Sequence, residues 1–164
     1  MSASWFKNLL GMKVTDEEMQ NIPYPSFELG IHITMKDVQA FTILGMGIIG
    51  PLVAVVRGHR SAGNLRQAAL NGGKYGAATG LVVGPLMTYG RIRNLEQDGI
   101  FDRCYRLRHN EGQVRVDRLS IFGGLGGTGL GVAMGHGALS GGLVGMTAGV
   151  LVGGVYNNFI KNKL

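Results

Sequence analysis

The sequence predicts an all-α membrane protein, a bundle of four transmembrane helices packed through glycine zippers, and three observations carry that prediction. Glycine supplies 29 of the 164 residues, roughly 18% where an average chain has about 7%. Two long stretches carry no charged residue: 19 residues from Val38 to Val56 and 42 from Leu119 to Ile160, the second interrupted only by His136. Glycines also recur at every fourth position, as in NGGKYGAATGLVVGP (71–85), where they occupy 72, 76, 80 and 84. Hydrophobic residues make up 45% of the chain. That content excludes disorder for want of apolar side chains, and collagen is excluded because no Gly-X-Y triplet runs through it.

Residues 1–37 read as a soluble or interfacial segment. SASWFKNLLGMK brings Trp5, Phe6, Leu9, Leu10 and Met12 near one helical side, an interface anchor, and TDEE at 15–18 has capping-box spacing. No Arg precedes position 57 and Asp16, Glu17 and Glu18 cluster early, which suits neither a cleavable mitochondrial presequence nor a secretory signal, so targeting information is expected to be internal.

The membrane domain is expected over 38–160, with spans at about 38–56, 73–90, 119–135 and 141–160. A run of about 20 apolar residues crosses a hydrocarbon core. The first span holds Gly45, Gly47 and Gly50, with Pro51 bending it. The second is short, and Lys74 and Arg91 at its flanks extend it by snorkelling. In the long charge-free run the glycines fall at 123, 127, 131 and 135, then at 137, 141, 145, 149 and 153. The phase breaks once, so GHGALSGG (135–142) is the expected hairpin and His136 a solvated turn residue. Residues 161–164 form a basic tail.

Why glycine recurs at helical intervals follows from the solvent. In water a helix-interior glycine costs about 1 kcal/mol relative to alanine. In lipid there is no hydrophobic drive between helices, and small residues on one face let backbones approach closely. The predicted helix-packing residues are therefore Gly72, Gly76, Gly80, Gly84, Gly123, Gly127, Gly131, Gly135, Gly141, Gly145, Gly149 and Gly153.

Catalytic signals are weak. GMGIIG at 45–50 matches the dinucleotide fingerprint, but Pro51 follows at once and no Asp or Glu occurs from Val38 to Leu95 to hold a ribose. GLGGTG at 124–129 satisfies the same loose pattern. Cys104 is the single cysteine, and His32, His59, His109 and His136 have no ligand spacing. No catalytic, cofactor-binding or metal residues are predicted, and apart from Lys74 at the flank of the second span nothing charged is expected inside the four spans, which disfavours an ion path. The net charge is +6, and its arginines lie in two places. Arg57, Arg60, Arg66 and Lys74 lie between the first two spans without an acid among them. The connector 91–118 mixes seven arginines with five acids, the composition of a solvated surface that touches headgroups or a partner. Aromatics are not interleaved there, so nucleic acid is not an expected partner, nor is a small-molecule substrate.

VDRLSIFGGLGGTGLG (116–131), entering the third span from a charged loop, resembles the superfamily of Tim-type mitochondrial inner-membrane translocase subunits, and within it most resembles the translocase-like accessory subunit of respiratory complex I. The likeness lies in Asp117, Leu119, Ser120, Gly123 and Gly124, and covers roughly residues 38–160. It implies a non-catalytic structural subunit, without cofactor, that holds membrane subunits of a large inner-membrane complex together with phospholipid at its margins; a translocase subunit or assembly factor is the alternative. The family's translocases line a cavity with acids and carry an intramolecular disulfide. Spans without acids and a single cysteine favour the accessory branch. The resemblance also implies that both termini face the intermembrane space, whereas counting Lys and Arg gives 4 on the first-loop side and 12 on the other, a bias toward the opposite orientation.

Overall fold

A computed structural model describes residues 3–160, and the basic tail predicted at 161–164 lies outside them. The described residues form helices joined by short turns, without a strand. The elements are α1 (Ala3–Leu10), α2 (Asp16–Gln20), α3 (Pro25–Leu44), a π-helical turn (Gly45–Ile49), α4 (Gly50–Val56), α5 (Ala62–Ile92), α6 (Gln97–His109), α7 (Glu111–Ala133), α8 (Ala138–Val155) and a closing π segment (Tyr156–Ile160). α3 continues through the π turn into α4 as one rod of 32 residues, about 48 Å long at 1.5 Å per residue.

Local chemistry explains most boundaries. Thr15 and Glu18 form the reciprocal capping box at α2 (Glu18 N to Thr15 Oγ1, 3.2 Å; Thr15 N to Glu18 Oε2, 3.1 Å). Pro25 occupies the first turn of α3, where its missing N–H is no loss. α7 ends in a Schellman motif, with His136 N bonding to Gly131 O at 2.8 Å and Gly135 N to Val132 O at 3.1 Å. Gly135 takes the left-handed position at φ +70°.

Two antiparallel hairpins dominate. α3 and α4 pair with α5 through Gly84 beside Thr34, Gly80 beside Val38, Gly76 beside Phe41, Gly72 beside Gly45 and Ala68 beside Gly50. α7 pairs with α8 through Gly123 and Gly145, Gly127 and Gly141, and Gly149 beside the Leu119 carbonyl. The π turn has a packing purpose as well as relieving Pro51. It directs the Gly50 N–H to Gly45 O, five residues back, so glycines five apart share one face and meet positions four apart on α5.

The spans differ from their sequence boundaries. By length and apolarity two helical segments are able to cross a membrane, Pro25–Val56 and Ala138–Ile160, where the sequence predicted four spans. The first begins thirteen residues before the predicted start at 38, so the expected interfacial segment 1–37 is divided between α1, α2 and the first half of α3. α5 and α7 are long enough, but glycine, arginine and amide side chains dilute them. The connector 91–118 is helical, holding α6 and the start of α7.

The levels of the helices follow from their contacts. Lys36 meets Asp117 and Gln39 meets Ser120, so α3 and α7 run the same way and their charge-free parts start side by side. α5 is out of step. Because Gly80 lies beside Val38, the charge-free residues beyond Gly80 flank the charged half of α3, while Arg66 and Lys74 flank its apolar half.

Candidate functional site

The residues most unlike a lipid-facing helix converge below the two hairpins. Glu28, His32, Lys36 and Gln39 follow one another at helical intervals along α3. Their partners come from α6 and α7, some eighty residues later.

Arg108 of α6 grips Glu28 with both prongs, Nε to Oε1 at 2.7 Å and Nη2 to Oε2 at 2.6 Å, and the two side chains are only 1% and 5% exposed. Its Nη1 donates to the carbonyls of Met19 (2.9 Å) and Asn21 (3.3 Å). One guanidinium thereby ties the end of α2, the first turn of α3 and α6 together, and the fork geometry suits this bidentate task. A small apolar core of Ile22, Leu29, Ile100 and Cys104 lies alongside. The Cys104 thiol points at Pro25 O at 3.2 Å. Burial, reinforced by the Glu28 carboxylate, pushes that thiol up to about 11 from the ordinary 9.0, so it is held as an unreactive thiol rather than a thiolate.

One turn further into the bundle, Asp117 of α7 receives Lys36 and lies 3.7 Å from His32 Nδ1, while Gln113 donates to it at 3.3 Å. Gln39 then donates to Ser120 Oγ at 2.8 Å, and that hydroxyl donates to the Asp117 carbonyl at 2.9 Å. Arg118 turns the other way and caps α1, donating from Nε to Leu9 O and from Nη2 to Asn8 O, both at 2.8 Å. A cavity of about 30 Å³ lies among Trp5, Leu9, Glu28, His32, Cys104 and Arg108, room for a water molecule rather than a substrate. Among the described residues no three His, Cys, Asp or Glu side chains form a metal-binding group. Chemically, the seam joins hairpins by charge and hydrogen bonds where glycine supplies none.

The predicted residues are distributed as follows. A methyl on Gly72, Gly76, Gly123, Gly127, Gly141, Gly145 or Gly149 would strike a carbonyl of the facing helix, and one on Gly80 or Gly84 would lie 2.5 or 2.6 Å from the Cα of Val38 or Thr34. Gly131 faces the Gly137 carbonyl at 2.6 Å and Gly153 faces Val116 at 3.0 Å. Gly135 departs from the strip: nothing lies within 4 Å of a Cβ there, and its role is the left-handed turn. In the resemblance motif, Asp117 and Ser120 belong to the seam, Leu119 and Gly123 abut α8, and Gly124 makes only an ordinary contact at 3.7 Å. The expected anchor on α1 splits: Trp5 and Leu9 line the small cavity while Phe6, Leu10 and Met12 are exposed.

The sequence reading missed Glu28, His32, Lys36, Gln39 and Arg108. The i, i+4, i+8, i+11 spacing along α3 was the available signal. The expectation that nothing charged lies inside the spans fails with it, because the Pro25–Val56 rod contains Glu28, His32, Lys36 and Asp37.

No curated protein matches the chain significantly. A family model does match, over residues 5–156, from within α1 to just past the end of α8, and by that match the chain belongs to DUF1757, a family of proteins of unknown function.

Proposed function

We propose that the chain is a membrane-embedded structural subunit, a four-helix element with both hairpins in the bilayer, that packs against larger membrane subunits of the mitochondrial inner membrane and performs no chemistry of its own. The observation that carries this reading is an inverted distribution of side chains. The buried apolar residues are few, Ile22, Leu29, Ala54, Ile100, Cys104 and Leu143, while Leu81, Val82, Leu86, Leu125, Leu130, Val132, Leu139 and Val152 are each more than half exposed. The helices meet through glycine and present their large apolar side chains outward, as association in lipid requires. The accessible surface, 9903 Å², exceeds the roughly 7,900 Å² that a compact soluble monomer of this mass presents.

Within the resemblance, respiratory complex I is the complex we assign, with an inner-membrane translocase as the second reading. Acids on α3 and α7 reopen the translocase branch, since their supposed absence told against it. Glu28 and Asp117 are nevertheless paired with Arg108 and Lys36 inside the seam, and paired acids knit helices rather than line a passage. Among the described residues only Asp37 keeps a buried carboxylate oxygen without a hydrogen-bond partner. The test is alkaline extraction of mitochondria, then a native gel of the mild-detergent extract. Co-migration with NADH dehydrogenase activity supports the accessory role, co-migration with precursor-import complexes supports the second, and recovery in the alkaline supernatant refutes both. Protease protection of tagged termini in mitoplasts decides whether they face the intermembrane space.

A further inference from the structure

Level with the charge-free length of the rod, the large exposed side chains of α4, α7 and α8 are apolar, and one face of α5 departs from that pattern. Asn64, Gln67, Asn71, Tyr75 and Thr79 follow one another at helical intervals, and all five are exposed. From Gln67 on, each immediately precedes a contact position, Ala68, Gly72, Gly76 and Gly80, so the row runs beside the line along which α5 meets the rod. It forms one wall of a groove of about 700 Å³ whose other wall holds Phe41, Ile49 and Val53. Within the row Gln67 Nε2 donates to Asn71 Oδ1 at 3.1 Å and Thr79 Oγ1 donates to the Tyr75 carbonyl at 2.9 Å. Among the described residues no hydrogen bond reaches the Tyr75 hydroxyl or the side-chain amide of Asn64.

Register decides what surrounds this row. Gly80 lies beside Val38, Gly72 beside Gly45 and Ala68 beside Gly50, so the row stays level with the charge-free residues of the rod for about 22 Å at 1.5 Å per residue, most of the depth of a hydrocarbon core. At that depth an amide or hydroxyl turned toward acyl chains finds neither water nor a partner, and polar side chains there are held by hydrogen bonds to a neighbouring helix. Among the described residues the other amide at this level, Gln39, already has its neighbour in Ser120 of α7. We propose that the α5 row docks one transmembrane helix of another subunit, whose serine, threonine, asparagine or glutamine side chains pair with it while its apolar edge lies on Phe41, Ile49 and Val53. Charge argues against a second copy as the occupant. A two-fold pairing would set Arg57 and His59 at the end of the groove against their own mates, and no acid occurs from Val38 to Leu95 to offset them. The docking face rests on the membrane-subunit reading above and names the surface by which the chain packs.

The experiment keeps the full chain in its native membranes. Asn71→Leu should lower the assembled complex on native gels about threefold, and Gln67→Leu with Asn71→Leu about tenfold, since an interhelical hydrogen bond in a membrane is worth roughly a factor of three. Asn71→Gln, which keeps the amide, should retain most of it. A benzophenone side chain in place of Tyr75 should give one discrete protein adduct that falls in parallel in the double variant. An adduct of twice the chain's mass, adducts with lipid alone, or unchanged complex and labelling in the double variant overturns the proposal. Protease resistance in detergent tells lost docking from lost fold; if the double variant is digested as an unfolded chain, Asn71→Leu and the Tyr75 adduct decide. The two failures are separable. An unaltered chain that leaves the membrane on alkaline extraction, or runs alone on the native gel, refutes the subunit reading and the docking face with it, whereas a chain that assembles but is indifferent to the row refutes the docking face alone.

Discussion

Gly72 of α5 and Gly45 at the start of the π turn touch backbone to backbone, each standing where a Cβ on the other would strike a carbonyl oxygen. Gly72→Leu should therefore force α5 away from the rod while leaving membrane insertion intact, and Gly80→Leu, beside Val38, should act the same way. Gly126, on the exposed face of α7 with nothing within 4 Å, is the control: Gly126→Ala should be neutral or stabilise by up to about 1 kcal/mol. Protease resistance in detergent and the yield of the assembled complex on native gels check all three. Normal complex levels in Gly80→Leu would remove the packing role from the strip.

Arg108 and Glu28 give a prediction in the opposite sense. Arg108→Met leaves a buried carboxylate without its cation and should cost about 3–5 kcal/mol, whereas pairing it with Glu28→Met should restore much of the loss, because removing both charges of a buried pair is often close to neutral. Thermal melts of the two variants decide the matter. A double variant no more stable than the single one would mean that the hydrogen bonds to Met19 and Asn21 matter more than the ion pair.

Cys104 reports on the same region through pH. Its folded value is raised to about 11 from 9.0, so the folded state holds the proton more tightly than the unfolded one. The contribution is fully present below pH 9 and is lost as pH rises from about 9 to about 11. Alkylation of the native protein at pH 8 should be slow, and Arg108→Met should accelerate it by opening the cap. Fast alkylation of the unaltered chain would contradict the burial of this thiol.

At the acid end, Asp16 and Glu18 both sit below the ordinary carboxylate range. For Asp16 the main cause is the hydrogen bond from Tyr105, and for Glu18 it is the one from Lys7. Depressed carboxylates stabilise the fold above their unfolded values, near 3.8 and 4.5, and lose that contribution as pH falls through the folded ones. Hydrogen exchange in α1 and α2 should accelerate below about pH 4 while α7 and α8 stay protected. Thr15→Ala should mimic part of this at neutral pH, at a cost of about 1 kcal/mol.

The glycine strips were legible because helical periodicity is local: one strand of sequence shows both the face and its spacing. The polar seam was not, because it is built between α3 and residues some eighty positions away. Starting the first helix where charge ends also cut Glu28, His32 and Lys36 from the face they share with Gln39. Gly135 shows the limit of periodicity itself. It continues the spacing of 123, 127 and 131, yet its φ of +70° marks a turn, and only backbone geometry tells the two uses apart.

A rail with evenly spaced identical notches has no zero mark. Slid by one notch, the strip at 72, 76, 80 and 84 would offer α3 much the same surface, so alignment must be set elsewhere, by the brief turn at 57–61 and by the widened coil before Pro51. Splicing extra residues into that turn should thus yield a mixture of shifted dockings, each well fitted, rather than a loosened one.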